Sequence, residues 1–269
     1  MARRVPKLAA RLAAALLLVA AVACGGGGGD GEGGGSDTLL AAAADAAKDA
    51  ESAHVDMTVD ISLGGQDVTL EAEGEFDFTE KIGTMTMNAS SAAGMPGVGT
   101  MEVILEGDYM YVKGAAFDSV LGGKEWGRIN LATMSGAGAG QFNQDPTQYL
   151  EWLRGAGGDV EEVGAEEIDG VSTTHYKGDL PIDGIVEQAP DEEAAHSIRA
   201  GLAMFGDVDS FPVEVWVDDE GLPRRMTLLM QAEEEDGFST DIEIDLSDYG
   251  VDVAVEAPDS YKDIDSPAG

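Results

Sequence analysis

From Val55 onward the chain alternates apolar and polar residues with a period of two, and this constrains the fold more than any other feature of its 269 residues. Val55, Met57, Val59, Ile61 and Leu63 alternate with Asp56, Thr58, Asp60 and Ser62. After Gly64-Gly65, Val68, Leu70, Ala72, Gly74, Phe76 and Phe78 alternate with Thr69, Glu71, Glu73, Glu75 and Asp77. The pattern returns at Met85–Ala89, Met101–Leu105, Val213–Val217 and Ile242–Leu246, with a weaker rhythm at Trp126–Leu131. Successive strand side chains point to opposite faces, so this pattern predicts antiparallel strands with one dry face and one wet face. Gly107-Asp108, Asp169-Gly170 and Asp219-Glu220-Gly221 supply the turns, and Asp-Gly is a strong hairpin dipeptide. About ten strands result. They do not alternate one for one with helices, which excludes a parallel βαβ architecture.

Three segments carry helical signals instead. Thr38–Ser52 is alanine-rich, with Ser36 or Asp37 as a cap and an apolar stripe of Leu39, Ala43, Ala46, Ala47 and Ala50. Asp145-Pro146 opens a second helix carrying Tyr149, Leu150, Trp152 and Leu153, ended by Gly155. Pro190-Asp191 leads into a third, to about Phe205. A sheet with one dry face must cover it, and three helices with a curl of the sheet suffice. The fold class expected is α+β: a curved antiparallel sheet with about three helices over its apolar face.

The N-terminus reads as an export signal, residues 1–23. Arg3, Arg4, Lys7 and Arg11 precede the apolar run Leu12–Val22, which is too short to span a bilayer comfortably. The run ends in Ala21-Val22-Ala23-Cys24, which resembles the lipobox of bacterial lipoproteins. The resemblance implies a diacylglycerol anchor and a further acyl chain, such as palmitate, on Cys24, the only cysteine. An unmodified lone thiol is unusual in an exported protein, and two or more acyl chains hold a protein stably at a membrane. Glycine-rich residues 24–37 read as a flexible tether. Residues 38–258 form one domain, and 259–269 a polar tail expected to fray. The expected location is the extracytoplasmic face of a cell membrane, reached through the lipid.

Four of the chain's 15 basic residues and none of its 52 acids lie in the signal, so the remainder carries 11 bases against 52 acids, a net charge of −41. That field repels phosphate backbones and excludes nucleic acid as a partner.

Chemistry-bearing motifs are sparse. His54, His175 and His196 lack a second histidine at ligand spacing and are read as structural. The chain has no Gly-x-Ser-x-Gly elbow and no phosphate loop ending in lysine. Asp207–Ser210 and Asp218–Gly221 gather oxygens but miss the spacing of a calcium loop. No catalytic residue, metal or cofactor is assigned. The candidate site is the dry sheet face, rich in adaptable methionine: Val59, Ile61, Leu70, Phe76, Met85, Met87, Met101, Val103, Leu105, Val215, Met226, Leu228, Ile242 and Ile244. Either this face lines a cavity for an apolar ligand, or it is a filled core.

The order of these elements resembles the actinobacterial LppX/LprG-type lipoproteins, whose fold is similar to that of the carrier LolA. The resemblance rests on Gly74-Glu75-Phe76-Asp77-Phe78, Val103–Val112 ending in Gly107-Asp108-Tyr109-Met110-Tyr111-Val112, and Trp126 with Ile129. It continues through Asp145-Pro146 with Leu150, Asp169-Gly170-Val171, Thr173-Thr174-His175-Tyr176, Val213–Val217 and Arg224-Arg225-Met226. It covers about Thr38 to Pro258. It implies a strongly bent half-barrel with helices over its concave face and a cavity for lipid acyl chains, and it brings no catalytic residue. Two functions stay open: a membrane-anchored carrier of a lipid or other apolar ligand, and a structural or regulatory envelope lipoprotein whose filled core leaves the work to a protein partner of unknown identity.

Overall fold

A computed structural model describes residues 37–63, 66–89, 99–131, 160–187, 189, 192–232 and 238–264. The alternating segments form strands β1 (Ser52–Leu63), β2 (Gln66–Asp77), β3 (Ile82–Ala89), β4 (Gly99–Glu106), β5 (Tyr109–Gly114) and β6 (Trp126–Asn130). The second set is β7 (Glu161–Ile168), β8 (Val171–Pro181), β9 (Ser210–Asp218), β10 (Pro223–Gln231), β11 (Ser239–Ser247) and β12 (Tyr261–Asp263). They join in one sheet ordered β12-β6-β5-β4-β3-β2-β1-β11-β10-β9-β8-β7. The first six strands step outward from β1 to one side. The next five start at the opposite edge and step back until β11 pairs with β1. Every pairing is antiparallel except β12 with β6. The sheet curls without closing, since β12 and β7 are its two free edges.

Register turns the alternation into continuous rows. Met101, Met87, Ala72, Met57, Ile244, Met226 and Val215 oppose one another across seven consecutive strands. The next row sets Val103, Met85, Gly74, Val55 and Leu246 side by side. Gly74 is there because β3 comes too close for a side chain: a Cβ would lie 1.9 Å from the Thr84 carbonyl oxygen. On the wet face the matching row is Glu73, Asp56, Asp245, Arg225, Trp216 and His175. Like charges facing each other destabilise a sheet. Arg225 offsets this by gripping Asp245 with two hydrogen bonds of 2.6 and 2.5 Å and reaching Glu243 at 3.3 Å.

Four α-helices lie among the described residues: α1 (Asp37–Asp49), α2 (Asp118–Leu121), α3 (Ile182–Glu187) and α4 (Glu192–Leu202), the last continuing as a 3₁₀ turn to Phe205. The helices expected at 38–52 and 190–205 are α1 and α4. The one expected at 145–155 lies outside the described residues. α1 buries Leu40, Ala43, Ala44 and Ala47, so its stripe is turned about one residue from the expected one. Leu40, with three alanines at the next helical positions of its own face, fits closer to the sheet than Leu39. Phe205 and Phe211 meet edge to face, with centroids 5.2 Å apart.

Of the tail expected to fray at 259–269, residues 261–263 instead form a strand, and 265–269 lie outside the described residues. Tyr261–Asp263 pairs with Trp126–Arg128 as a parallel edge strand. Arg128 explains it: its guanidinium lies over Tyr109 and Tyr261 at 4.6 and 4.4 Å, and its Nε donates to Asp263 at 2.8 Å. A three-residue strand is too short to show a period.

Candidate binding pocket

α1 leaves a second line of its surface only half covered. Half-buried Leu39 and Ala46 and exposed Ala42 run along its flank and, with the buried Ala43, form one wall of a pocket of about 350 Å³. The opposite wall is Thr174 and Tyr176 of β8 and Val217 of β9, and the mouth is the turn Asp218-Asp219-Glu220-Gly221. Thr174 and Val217 oppose one another in register, as do Tyr176 and Val215, so the pocket sits on the dry face where β8 meets β9.

The mouth is rigid because Asp218 is committed. Its Oδ1 accepts the backbone N–H groups of Glu220 and Leu222, each at 2.9 Å, and its Oδ2 accepts Arg224 Nε at 2.7 Å. Arg224 in turn lies over the Tyr249 ring, 5.2 Å from its centroid, and Tyr249 donates its hydroxyl to the Pro223 carbonyl at 2.5 Å. Burial pushes the Tyr249 phenol well above its ordinary value, against the pull of Arg224. Asp219 and Glu220 remain exposed at the rim. Of the oxygens that the sequence gathers at 218–221, those of Asp218 hold the turn.

The fourteen residues of the predicted apolar face fall into three groups. Phe76, Met85, Met87, Val103, Leu105, Val215, Met226, Leu228, Ile242 and Ile244 are buried in one continuous core. Val59 and Met101 pack against that core from half-buried positions. Ile61 and Leu70 are half-buried near the ends of their strands. The register brings all fourteen to one sheet face, yet none borders the pocket beside α1. Val217 ends the apolar phase of Val213–Val217 that the alternation marks, whereas Tyr176 carries no comparable signal. A signal was available in α1, where alanines flank the buried stripe on one side. Cys24 lies outside the described residues.

On the wet face, His175 is 4% exposed and stacks on Trp216, with ring centroids 4.1 Å apart and planes 10° from parallel. Its Nδ1 lies 3.1 Å from Glu166 and its Nε2 2.7 Å from Glu214. The Trp216 indole N–H donates to the other Glu166 oxygen at 2.8 Å. That bond, ahead of the one from His175, holds the Glu166 carboxyl below its ordinary value. Every hydrogen-bonding atom of this cluster's rings is occupied, so it joins three strands and presents no reactive group.

Sequence comparison decides the family. Residues 36–255 match the profile of the LppX/LprAFG lipoproteins. The chain belongs to that family. An uncharacterized 31.2 kDa protein of Streptomyces griseus, encoded between rplA and rplJ, is 29% identical over 236 residues, covering 80% of this chain and 74% of that one. The crystal structure of the Mycobacterium tuberculosis lipoprotein LppX superposes with a TM-score of 0.50 at 18% identity, over 81% of this chain and 98% of LppX. LprF of Mycobacterium bovis gives 0.48 at 17% identity, over 83% and 96%. The LppX match establishes the open, curled sheet as the family fold. No helix among the described residues is long and apolar enough to cross a membrane.

Proposed function

We propose that this family member is anchored through lipid on Cys24 at the outer side of a cell membrane and binds the apolar chain of an envelope lipid in the pocket beside α1. The observation that carries the reading is the uncovered apolar flank of α1 facing Tyr176 and Val217 across about 350 Å³. The volume stands at the low end of the roughly 300–1,000 Å³ usual for ligand pockets. It has room for one acyl chain or the end of one. The reading assigns binding and no catalysis.

The competing reading, a filled core acting through a protein partner, draws support from the ten buried residues of the predicted face. The two readings apply to different parts of the dry face: its centre is packed, and the opening lies at the α1 flank. Mass spectrometry of the lipoprotein, taken from its native membrane in mild detergent, tests the proposal. A defined lipid retained near one per protein is the expected result. Protein free of lipid, with a specific crosslinked protein partner in intact cells, would move the assignment to the partner reading.

A further inference from the structure

Among the described residues, the pocket's lining has charge of one sign only. Its charged residues are Asp218, Asp219 and Glu220, with no lysine, arginine or histidine among them. Arg224 compensates Asp218 across 2.7 Å, which leaves Asp219 and Glu220, among the described residues, as the uncompensated charges at the mouth. Because Asp218 fixes the turn through two backbone N–H groups, these two exposed carboxylates are held at the solvent side of the pocket. Behind them the wall is aliphatic, apart from the Thr174 and Tyr176 side chains. A chain entering tail first leaves its head group beside the two acids.

We infer that the pocket selects by head-group charge: it takes an apolar chain whose head is uncharged or cationic and turns away carboxylate and phosphate heads. The inference rests on the proposed binding reading and adds a ligand class to it. Two fixed like charges within several ångströms of a carboxylate head, in partly aqueous surroundings, disfavour it by on the order of three- to ten-fold, and salt screens the effect. The strongly acidic chain acts in the same direction from further away, so a test has to separate rim from net charge.

The full-length lipoprotein in phosphatidylcholine vesicles is exposed to three photoreactive twelve-carbon probes that differ only in head group: alcohol, amine and carboxylate. Labelling of the α1 peptide is read by mass spectrometry as the carboxylate-to-alcohol ratio. Because vesicle partitioning is common to all protein variants, changes in this ratio between variants report the protein alone. The expected result is labelling of α1 by alcohol and amine, with carboxylate several-fold weaker. Asp219→Asn with Glu220→Gln should raise the ratio about three- to ten-fold, as should high salt. The pair Asp56→Asn and Glu73→Gln removes the same charge from exposed wet-face positions of β1 and β2 and should leave the ratio unchanged. Equal labelling by carboxylate and alcohol in the unmodified protein overturns the inference, as does an equal shift from both variant pairs. Absence of α1 labelling by all three probes overturns the binding reading, and this inference with it.

Discussion

Asp218 concentrates in one carboxylate the forces that shape the mouth of the pocket. Its side chain is 5% exposed and that of Arg224 18%, so the pair is largely removed from water. Breaking such a pair strands the partner charge. Asp218→Ala is expected to cost about 3–5 kcal/mol, through an unpaired guanidinium and two freed N–H groups. Asp218→Asn keeps an oxygen for the two N–H groups but loses the ion pair, and is expected to cost less, about 1–3 kcal/mol. Denaturant melts of both variants give the comparison, and equal losses would show that the turn bonds contribute nothing beyond the ion pair. The alternation placed Asp218 at the polar end of a strand before an acidic turn, and it is the last residue of β9. The alternation did not reveal the commitment to Arg224, because that depends on where β10 begins. His175 teaches the same lesson: its partners stand at Glu166, Glu214 and Trp216, on two other strands. No spacing along the chain encodes them, and only the register brings them together.

At the scale of elements, the strands were legible because burial of one face forces a period of two. β12 and the pocket-facing flank of α1 were not: one is too short to have a period, and the other is apolar without being buried. The edge strand β7 illustrates what holds an element with little apolar surface. Its burial pattern shows no buried residue, and Val163 is 48% exposed. It is therefore held by backbone pairing with β8, the Thr173 hydroxyl bond to the Glu166 carbonyl, and the Glu166 side-chain bonds to His175 on β8 and Trp216 on β9. The Glu166 carboxyl is depressed below the ordinary 4.5. A depressed acid contributes stability that is complete above the unfolded-state value and lost as pH falls through the lower folded-state value. Amide exchange over 161–168, corrected for intrinsic rate, is therefore expected to accelerate below about pH 4.5 before exchange over β1 and β11 does. Glu166→Gln should show the faster exchange already at neutral pH. Protection of β7 that persists through that range would assign the edge to backbone pairing alone.

For the whole molecule, the anchor and the pocket make separate claims. Cys24→Ala should release the protein from the membrane or leave its signal uncut, seen by fractionation and N-terminal mass. The same protein tightly bound with its signal removed would end the anchor argument.

Whether the dry face works as core or as container is decided by contrasting two of its positions. Met87 lies in the methionine row between Ala72 and Met101 and is buried. Its truncation to alanine leaves a void among packed neighbours, so Met87→Ala is expected to cost about 2–5 kcal/mol while leaving lipid retention intact. Ala46 is on the half-covered flank of α1 and borders the pocket. Adding methylenes to a close-packed site costs about 1–3 kcal/mol. At Ala46 a leucine side chain enters open space, so Ala46→Leu should cost less than about 1 kcal/mol. The same side chain takes volume from the bound chain, so retained lipid should fall several-fold. Denaturant melts paired with mass spectrometry of the lipid load give both quantities for both variants. A large stability loss at Ala46 with unchanged lipid would show that the flank is packed in solution and that any lipid sits elsewhere. A small loss at Met87 with changed lipid would extend the container into the centre of the sheet, along the row the alternation first marked.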